Sequence, residues 1–208
     1  NAGTMTYMNA FSLVHATVRY LDANKMDYSE EAISQVAAHI LENLKNAANH
    51  EILGPDTALI LFTHEDEAFD NGKIVELYEK SGGKKENILV NAKGVELDDD
   101  GNNIMKKKIL DGIRASKGPT TILFNGHGSP ENWGLAGNTI DKLDRTVEKK
   151  ETTINFKELG DALAESGNIE NINILATACL AYDFIENLFS YLEKKKGNIK
   201  GLILTHGH

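Results

Sequence analysis

The chain has little of what would fix its class at once: among 208 residues there is one cysteine, one tryptophan and three prolines. The lone thiol, Cys179, excludes an internal disulfide framework. It leaves the compartment open, because many secreted enzymes lack disulfides. No apolar run approaches the ~20 residues of a membrane-spanning helix, and mean hydropathy is −0.34. Positive charge is short as well, with 22 Lys and Arg against 31 Asp and Glu and a formal net charge of −9. A protein that grips phosphates carries a basic stripe, yet lysines gather only locally, at Lys106–Lys108, Lys149–Lys150 and Lys194–Lys196. The first and last of these read as polar faces or ends of helices, where cations complement the dipole. Nucleic acid, inositol polyphosphate and membrane are therefore not expected as partners. Repeats and low-complexity tracts are also lacking.

What is present fits an ordered α/β chain. With 41% hydrophobic residues, the length suits one sizeable core and a small appendage. It opens on Asn1 rather than Met, as a chain would whose leader or propeptide had been removed, and no signal-like segment is visible. Phe11, Val14, His15, Val18 and Leu21 fall at helical spacings. Ser29-Glu30-Glu31 looks like a helix start, followed by a stripe of Ile33, Val36, Ala37, Ile40, Leu41 and Leu44. Residues 1–55 are thus expected to form an N-terminal helical segment.

From Thr57 the pattern changes. Apolar runs at 58–62, 88–90, 120–124, 172–176 and 201–204 read as strands, the first of them covered on both faces. Helices are predicted between them over 72–80, 104–116, 156–165 and 182–195. Such alternation predicts, for residues 56–208, a mainly parallel sheet with helices on both faces. The polar connection Gly134–Thr153 is the one long irregular stretch, and loops of that length are usually functional or mobile. It reads either as a surface excursion or as an activation loop cut near Arg145, Lys149 or Lys150.

In parallel sheets, reactive groups gather at the carboxyl ends of strands. Two strands end suggestively. One leads into Asn125-Gly126-His127-Gly128-Ser129 and the other into Ala176-Thr177-Ala178-Cys179. A thiol attacks as thiolate, and a nearby imidazole takes its proton. Glycines beside His127 permit a sharp turn and the close approach of a substrate backbone. The N–H groups of Gly128 and Cys179 are candidate oxyanion donors. Each piece alone also fits a bland role, the cysteine as a small core hydrophobe and the histidine as a turn residue.

An apolar strand ending in His-Gly, with a later apolar strand ending in Ala-Cys, resembles the caspase-hemoglobinase superfamily of cysteine peptidases (clan CD). Gly126-His127-Gly128-Ser129 followed by Trp133, and Phe184 five residues after Cys179, are most similar to the gingipain-like peptidases. Ala178-Cys179-Leu180 resembles the clostripain-like enzymes, which typically carry Asp where this chain has Thr177. That departure puts Arg/Lys specificity by this route in doubt. The resemblance covers about Thr57 to His208 and implies a three-layer caspase-like sandwich. It implies a thiol endopeptidase, made as a zymogen, that cleaves protein or peptide substrates with His127 and Cys179 and needs no cofactor. It also implies a primary specificity pocket after the last strand, so a second chain is expected to complete the sheet and that pocket, unless the sequence continues.

The remaining histidines separate in weight. His15 and His39 read as packing or surface residues and His50 as a turn residue. His64 precedes Glu65, Asp66 and Glu67, one of which is a candidate to orient His127. Thr205-His206-Gly207-His208 has imidazoles that suit zinc, but no cysteine or carboxylate spacing supports a metal site. Two other readings stay open. One is a catalytically silent caspase-like interaction module. The other is a flavodoxin-like ligand-binding domain, although the loop after the first strand is acidic rather than glycine-rich.

Overall fold

The computed structural model describes residues 17–18, 21–22, 25–38, 53–67, 70–137, 147–196 and 202–206. The chain divides into two compact units, Asn1–His50 and Glu51–His208. In the first, residues 30–38 are helical. Ser29 starts that helix, its Oγ accepting the Ala32 N–H at 3.3 Å. Leu21, Ala32 and Val36 form a small buried cluster. Ile33, expected in the apolar stripe, is instead 40% exposed. Phe11, Val14, His15, His39, Ile40, Leu41, Leu44 and His50 lie outside the described residues.

The second unit is an α/β fold. Its strands are β1 (Ala58–Thr63), β2 (Ile88–Lys93), β3 (Thr120–Gly126), β4 (Asn132–Gly134), β5 (Thr153–Asn155), β6 (Ile172–Ala178) and β7 (Leu202–His206). Its helices of ten or more residues are α1 (Asn71–Lys80), α2 (Ile104–Ala115), α3 (Phe156–Ser166) and α4 (Ala181–Lys196). The main sheet has the order β2-β1-β3-β6-β7, and every neighbouring pair in it is parallel.

That order dictates where the helices go. The connection from β1 to β2 runs toward one edge of the sheet, and the later crossovers run toward the other. Right-handed crossovers of opposite sense lay their helices on opposite faces. On one face Leu59 and Leu61 pack with Tyr78 and Ile74 of α1. On the other, Ile60, Phe62, Ile122, Phe124 and Ile174 share a single core with residues of α2, α3 and α4. At ~1.5–3 kcal/mol for each fully buried large aliphatic or aromatic side chain, this second core dominates the stability of the unit. Helix α1 ends as Gly82-Gly83 predicts: Gly82 has φ +89°, and the Gly83 N–H reaches the Tyr78 carbonyl at 2.9 Å.

All five strands of the main sheet outrun their apolar segments, β7 through Thr205-His206. β3 continues through Asn125-Gly126, β6 through Thr177-Ala178, β2 through Asn91-Ala92-Lys93 and β1 through Thr63. Main-chain pairing with a neighbour holds these polar or small residues extended.

Two sequence expectations are corrected here. The stretch Gly134–Thr153 is not irregular at its ends, because β4 and β5 pair antiparallel, with Trp133 opposite Ile154. Leu135 and Ala136 are buried, and the Leu135 N–H donates to the Thr152 carbonyl at 2.7 Å. Arg145 lies outside the described residues. Lys106, expected on a polar face or at a helix end, is 8% exposed. It lies near the start of α2, where the dipole disfavours a cation, and is held instead by specific partners. Its Nζ sits 2.6 Å from Glu158 Oε1 and donates to the Lys150 carbonyl at 2.7 Å.

Lys106→Met should therefore lower the unfolding free energy by about 1–3 kcal/mol, read as a fall in the urea midpoint at unchanged slope. A pH effect arises between α3 and α4, where Asp161 accepts bonds from Lys195 Nζ and from Tyr191 Oη. The Lys195 ammonium, then the Tyr191 hydroxyl, hold the Asp161 carboxyl below its usual range. A depressed carboxyl stabilises the fold above its unfolded pKa of about 4 and loses that effect as pH falls through the folded value. Asp161→Asn should flatten part of the acid limb of a stability–pH curve, and an unchanged limb would contradict the assignment.

Candidate active site

The candidate residues follow the carboxyl ends of adjacent strands. In register, Thr63 of β1 faces Asn125 of β3, and Asn125 faces Thr177 of β6. One step on, Gly126 pairs with Ala178. His127 and Cys179 are the next residues of their two strands, which run side by side about 4.8 Å apart. Both side chains are exposed. The strand tips are tied by the Thr177 hydroxyl, which donates to Asn125 Oδ1 at 2.6 Å.

The chain after His127 folds back as a tight hairpin. The Gly134 N–H donates to the His127 carbonyl at 2.8 Å, and the Ser129 N–H to the Asn132 carbonyl at 2.9 Å. Gly128 and Trp133 form the bridge between those bonds. In such a pair the residues themselves exchange no bonds, and their N–H and C=O groups point away from the partner strand. The Gly128 N–H is accordingly turned away from the Trp133 strand. Asn187 Nδ2 of α4 ties down the turn through the Pro130 carbonyl at 2.8 Å, and the Phe156 N–H donates to the Glu131 carbonyl at 3.0 Å.

Space, rather than φ, demands glycine at 128, since it is absent from the positive-φ glycines of the described residues. A Cβ there would lie 2.5 Å from the Cys179 carbonyl oxygen and 3.1 Å from the Ala178 Cβ. From sequence the glycine is expected to admit a substrate backbone; the backbone that lies against it here is the cysteine's own strand tip. Beyond it Leu180 adopts φ +53° and stays 48% exposed. A bulky side chain in the left-handed region is a genuine outlier, and such outliers cluster at functional sites.

Below the site lies an aromatic stack. Trp133 is fully buried, with its ring 4.7 Å from Phe124 and 4.2 Å from Phe184, both nearly parallel. The tryptophan and phenylalanine singled out in the sequence are thus direct neighbours. One joins the histidine hairpin to β3, and the other joins α4, which follows the cysteine, to both.

The acidic turn holds a residue that the sequence reading weighted too low. His64 is 3% exposed, and its ring centroid lies 4.6 Å from that of His127, at 83° between planes. Glu65 Oε1 accepts the Gly137 N–H at 3.0 Å. Asp66 Oδ2 lies 3.9 Å from His64 Nδ1, and the Glu67 carbonyl accepts Lys93 Nζ at 2.7 Å. A lone His before three carboxylates gives no periodic signal of burial, so only the β1–β3 pairing reveals it.

Lys149 and Lys150 form an ordered turn. The Lys149 carbonyl accepts the Thr152 N–H at 3.2 Å and the Thr153 hydroxyl at 3.0 Å. With the Lys150 carbonyl bound to Lys106, a protease cutting between these lysines would first have to open the turn. Among the described residues no group of three or more His, Cys, Asp and Glu side chains is placed to hold a metal ion. Among the same residues, no helix is long and apolar enough to cross a membrane.

Neither a protein-family model nor a curated protein sequence matches the chain. Gly128→Ala tests the geometry directly. The added methyl should shift the hairpin against Cys179, with a cost of about 1–3 kcal/mol measured by thermal or urea unfolding. A variant as stable as the parent would show that the two loops are not in contact.

Proposed function

We propose that this chain carries the His–Cys half of a thiol endopeptidase, with Cys179 as nucleophile and His127 as its proton carrier. One observation carries the reading: Gly126 pairs with Ala178, so the only thiol in the sequence and a glycine-flanked imidazole follow adjacent positions of neighbouring strands. The resemblance to gingipain-like peptidases points the same way, through His127, Trp133, Cys179 and Phe184. The exposure of both reactive side chains suits attack on a peptide in solution.

In this mechanism the Cys179 proton passes to His127 and the thiolate adds to the scissile carbonyl carbon. The N–H groups of Gly128 and Cys179 receive the oxyanion. The carbon–nitrogen bond breaks as His127 returns the proton to the leaving amine, which leaves a thioester on Cys179. Water then adds to the thioester, with its proton taken by His127. The thiolate leaves as the carboxylic acid product forms, and the enzyme regains its proton. No cofactor takes part. With Thr177 bonded to Asn125, the reading assigns no basic-residue specificity to that position. A second chain pairing along β7, an outer strand of the sheet, would extend the substrate platform. Cutting within 134–153 belongs to the same proposal. A functional cut is assigned nearer Arg145 than Lys149–Lys150, whose carbonyls are engaged.

The strand order favours one rival. Order 2-1-3-4-5, counted along the main sheet, is also that of flavodoxin-like domains, which bind ligands at the switch point between the first and third strands. Here that crevice is flanked by His64-Glu65-Asp66-Glu67, an acidic edge unsuited to phosphate. A thiol-reactive peptide probe separates the readings. The peptidase should be labelled at Cys179, and Cys179→Ala should abolish both labelling and turnover while leaving the circular dichroism spectrum unchanged. Peptide cleavage that survives Cys179→Ala would remove the reading.

A further inference from the structure

We infer that His64 is a positioning residue, holding the His127 imidazole from the side opposite Cys179. The inference rests on the peptidase reading for its kinetic consequence, while its structural part stands alone. Strand β3 lies between β1 and β6. His64 leaves the end of β1 and Cys179 the end of β6, so the two flank the loop that carries His127.

His64 is fixed at every point that the structure describes. Its main-chain N–H donates to the Asn125 carbonyl at 3.0 Å, and its carbonyl accepts the Glu67 N–H at 3.2 Å. Its ring Nδ1 accepts the Asp66 N–H at 3.1 Å, which sets the ring rotation and leaves Nε2 to carry the proton of the neutral form. His127, by contrast, is exposed, and an exposed imidazole with two free torsions samples several rotamers. The ring of His64, 4.6 Å away between centroids, restricts that sampling.

The surroundings leave room for this contact and little else. A Cβ on Gly126 would come within 2.7 Å of the His64 Cβ. A Cβ on Gly134 would come within 3.4 Å of His64 Cδ2 and 3.3 Å of the His127 carbonyl oxygen. Gly126 thus makes room for the stem of His64, and Gly134 lies against the edge of its ring and the main chain of His127.

The test compares the full chain with His64→Asn and His64→Phe. Asn keeps an acceptor for the Asp66 N–H but lacks the ring that reaches His127, whereas Phe restores a ring without the polar edge. With carbon-13-labelled histidine, the side-chain order parameter of His127 should fall in His64→Asn and recover in His64→Phe. On a cleaved peptide, kcat should drop by about 10²-fold in His64→Asn, as expected for loss of reacting geometry. KM should stay constant, and Phe should restore most of the rate. A His64→Asn protein with parental His127 order and parental kcat would overturn the inference. Loss of ring order in a chain that cleaves no peptide would uphold the positioning and remove the peptidase reading, so the two failures are distinct.

Discussion

The stacking of Trp133 between Phe124 and Phe184 is the interaction on which the candidate site depends. Each ring belongs to a different piece of the edge: Phe124 to the strand before His127, Trp133 to the hairpin after it, and Phe184 to the helix after Cys179. A buried indole contributes ~4–6 kcal/mol from its apolar area, and each aromatic neighbour adds ~0.5–1.5 kcal/mol. The cost shows in the indole Nε1, which is buried with no hydrogen-bond partner among the described residues, a loss of about 1–3 kcal/mol. Packing exceeds the lost bond. The hairpin is therefore pinned in one place, and Gly128 is held against the Cys179 carbonyl rather than left to drift.

Above that stack, the site is assembled from backbone constraints more than from side-chain pairing. The β3–β6 register brings the positions before the two candidate residues side by side, the Gly128–Trp133 bridge turns an N–H away from its partner strand, and Leu180 holds an unfavourable φ after Cys179. The polar ties at the edge, such as Thr177 to Asn125 and Asn187 to Pro130, fix these backbone segments to each other. Rigid elements with short reactive loops give the placement that acid–base and nucleophilic chemistry requires.

Much of this was legible in the sequence, for reasons that differ by residue. Apolar runs such as Leu59-Ile60-Leu61-Phe62 mark strands, and their alternation with helical stretches gives the layered α/β class from pattern alone. The strand tips at Asn125-Gly126 and Thr177-Ala178 were not legible, because pairing with a neighbour overrides their weak preference for extended backbone. The three-residue strands β4 and β5 are too short for an alternating signal. Lys106 misleads because lysine is almost never buried unless paired, and its partners, Glu158 and the Lys150 carbonyl, lie far along the chain. His64 is hidden for a like reason: its meeting with His127 exists only once β1 and β3 are side by side.

The pairing of β3 with β6 also governs when such a site comes into being. Asn125 and Thr177 are 52 residues apart in sequence, and a parallel register between them forms only after that chain length has closed as a loop. A growing or partly folded chain can complete the histidine hairpin locally, yet it has no thiol beside it until β6 docks. Under the proposed function, reactivity is thus coupled to a long-range contact of the fold, so an incompletely folded copy would hold the proposed nucleophile apart from the imidazole.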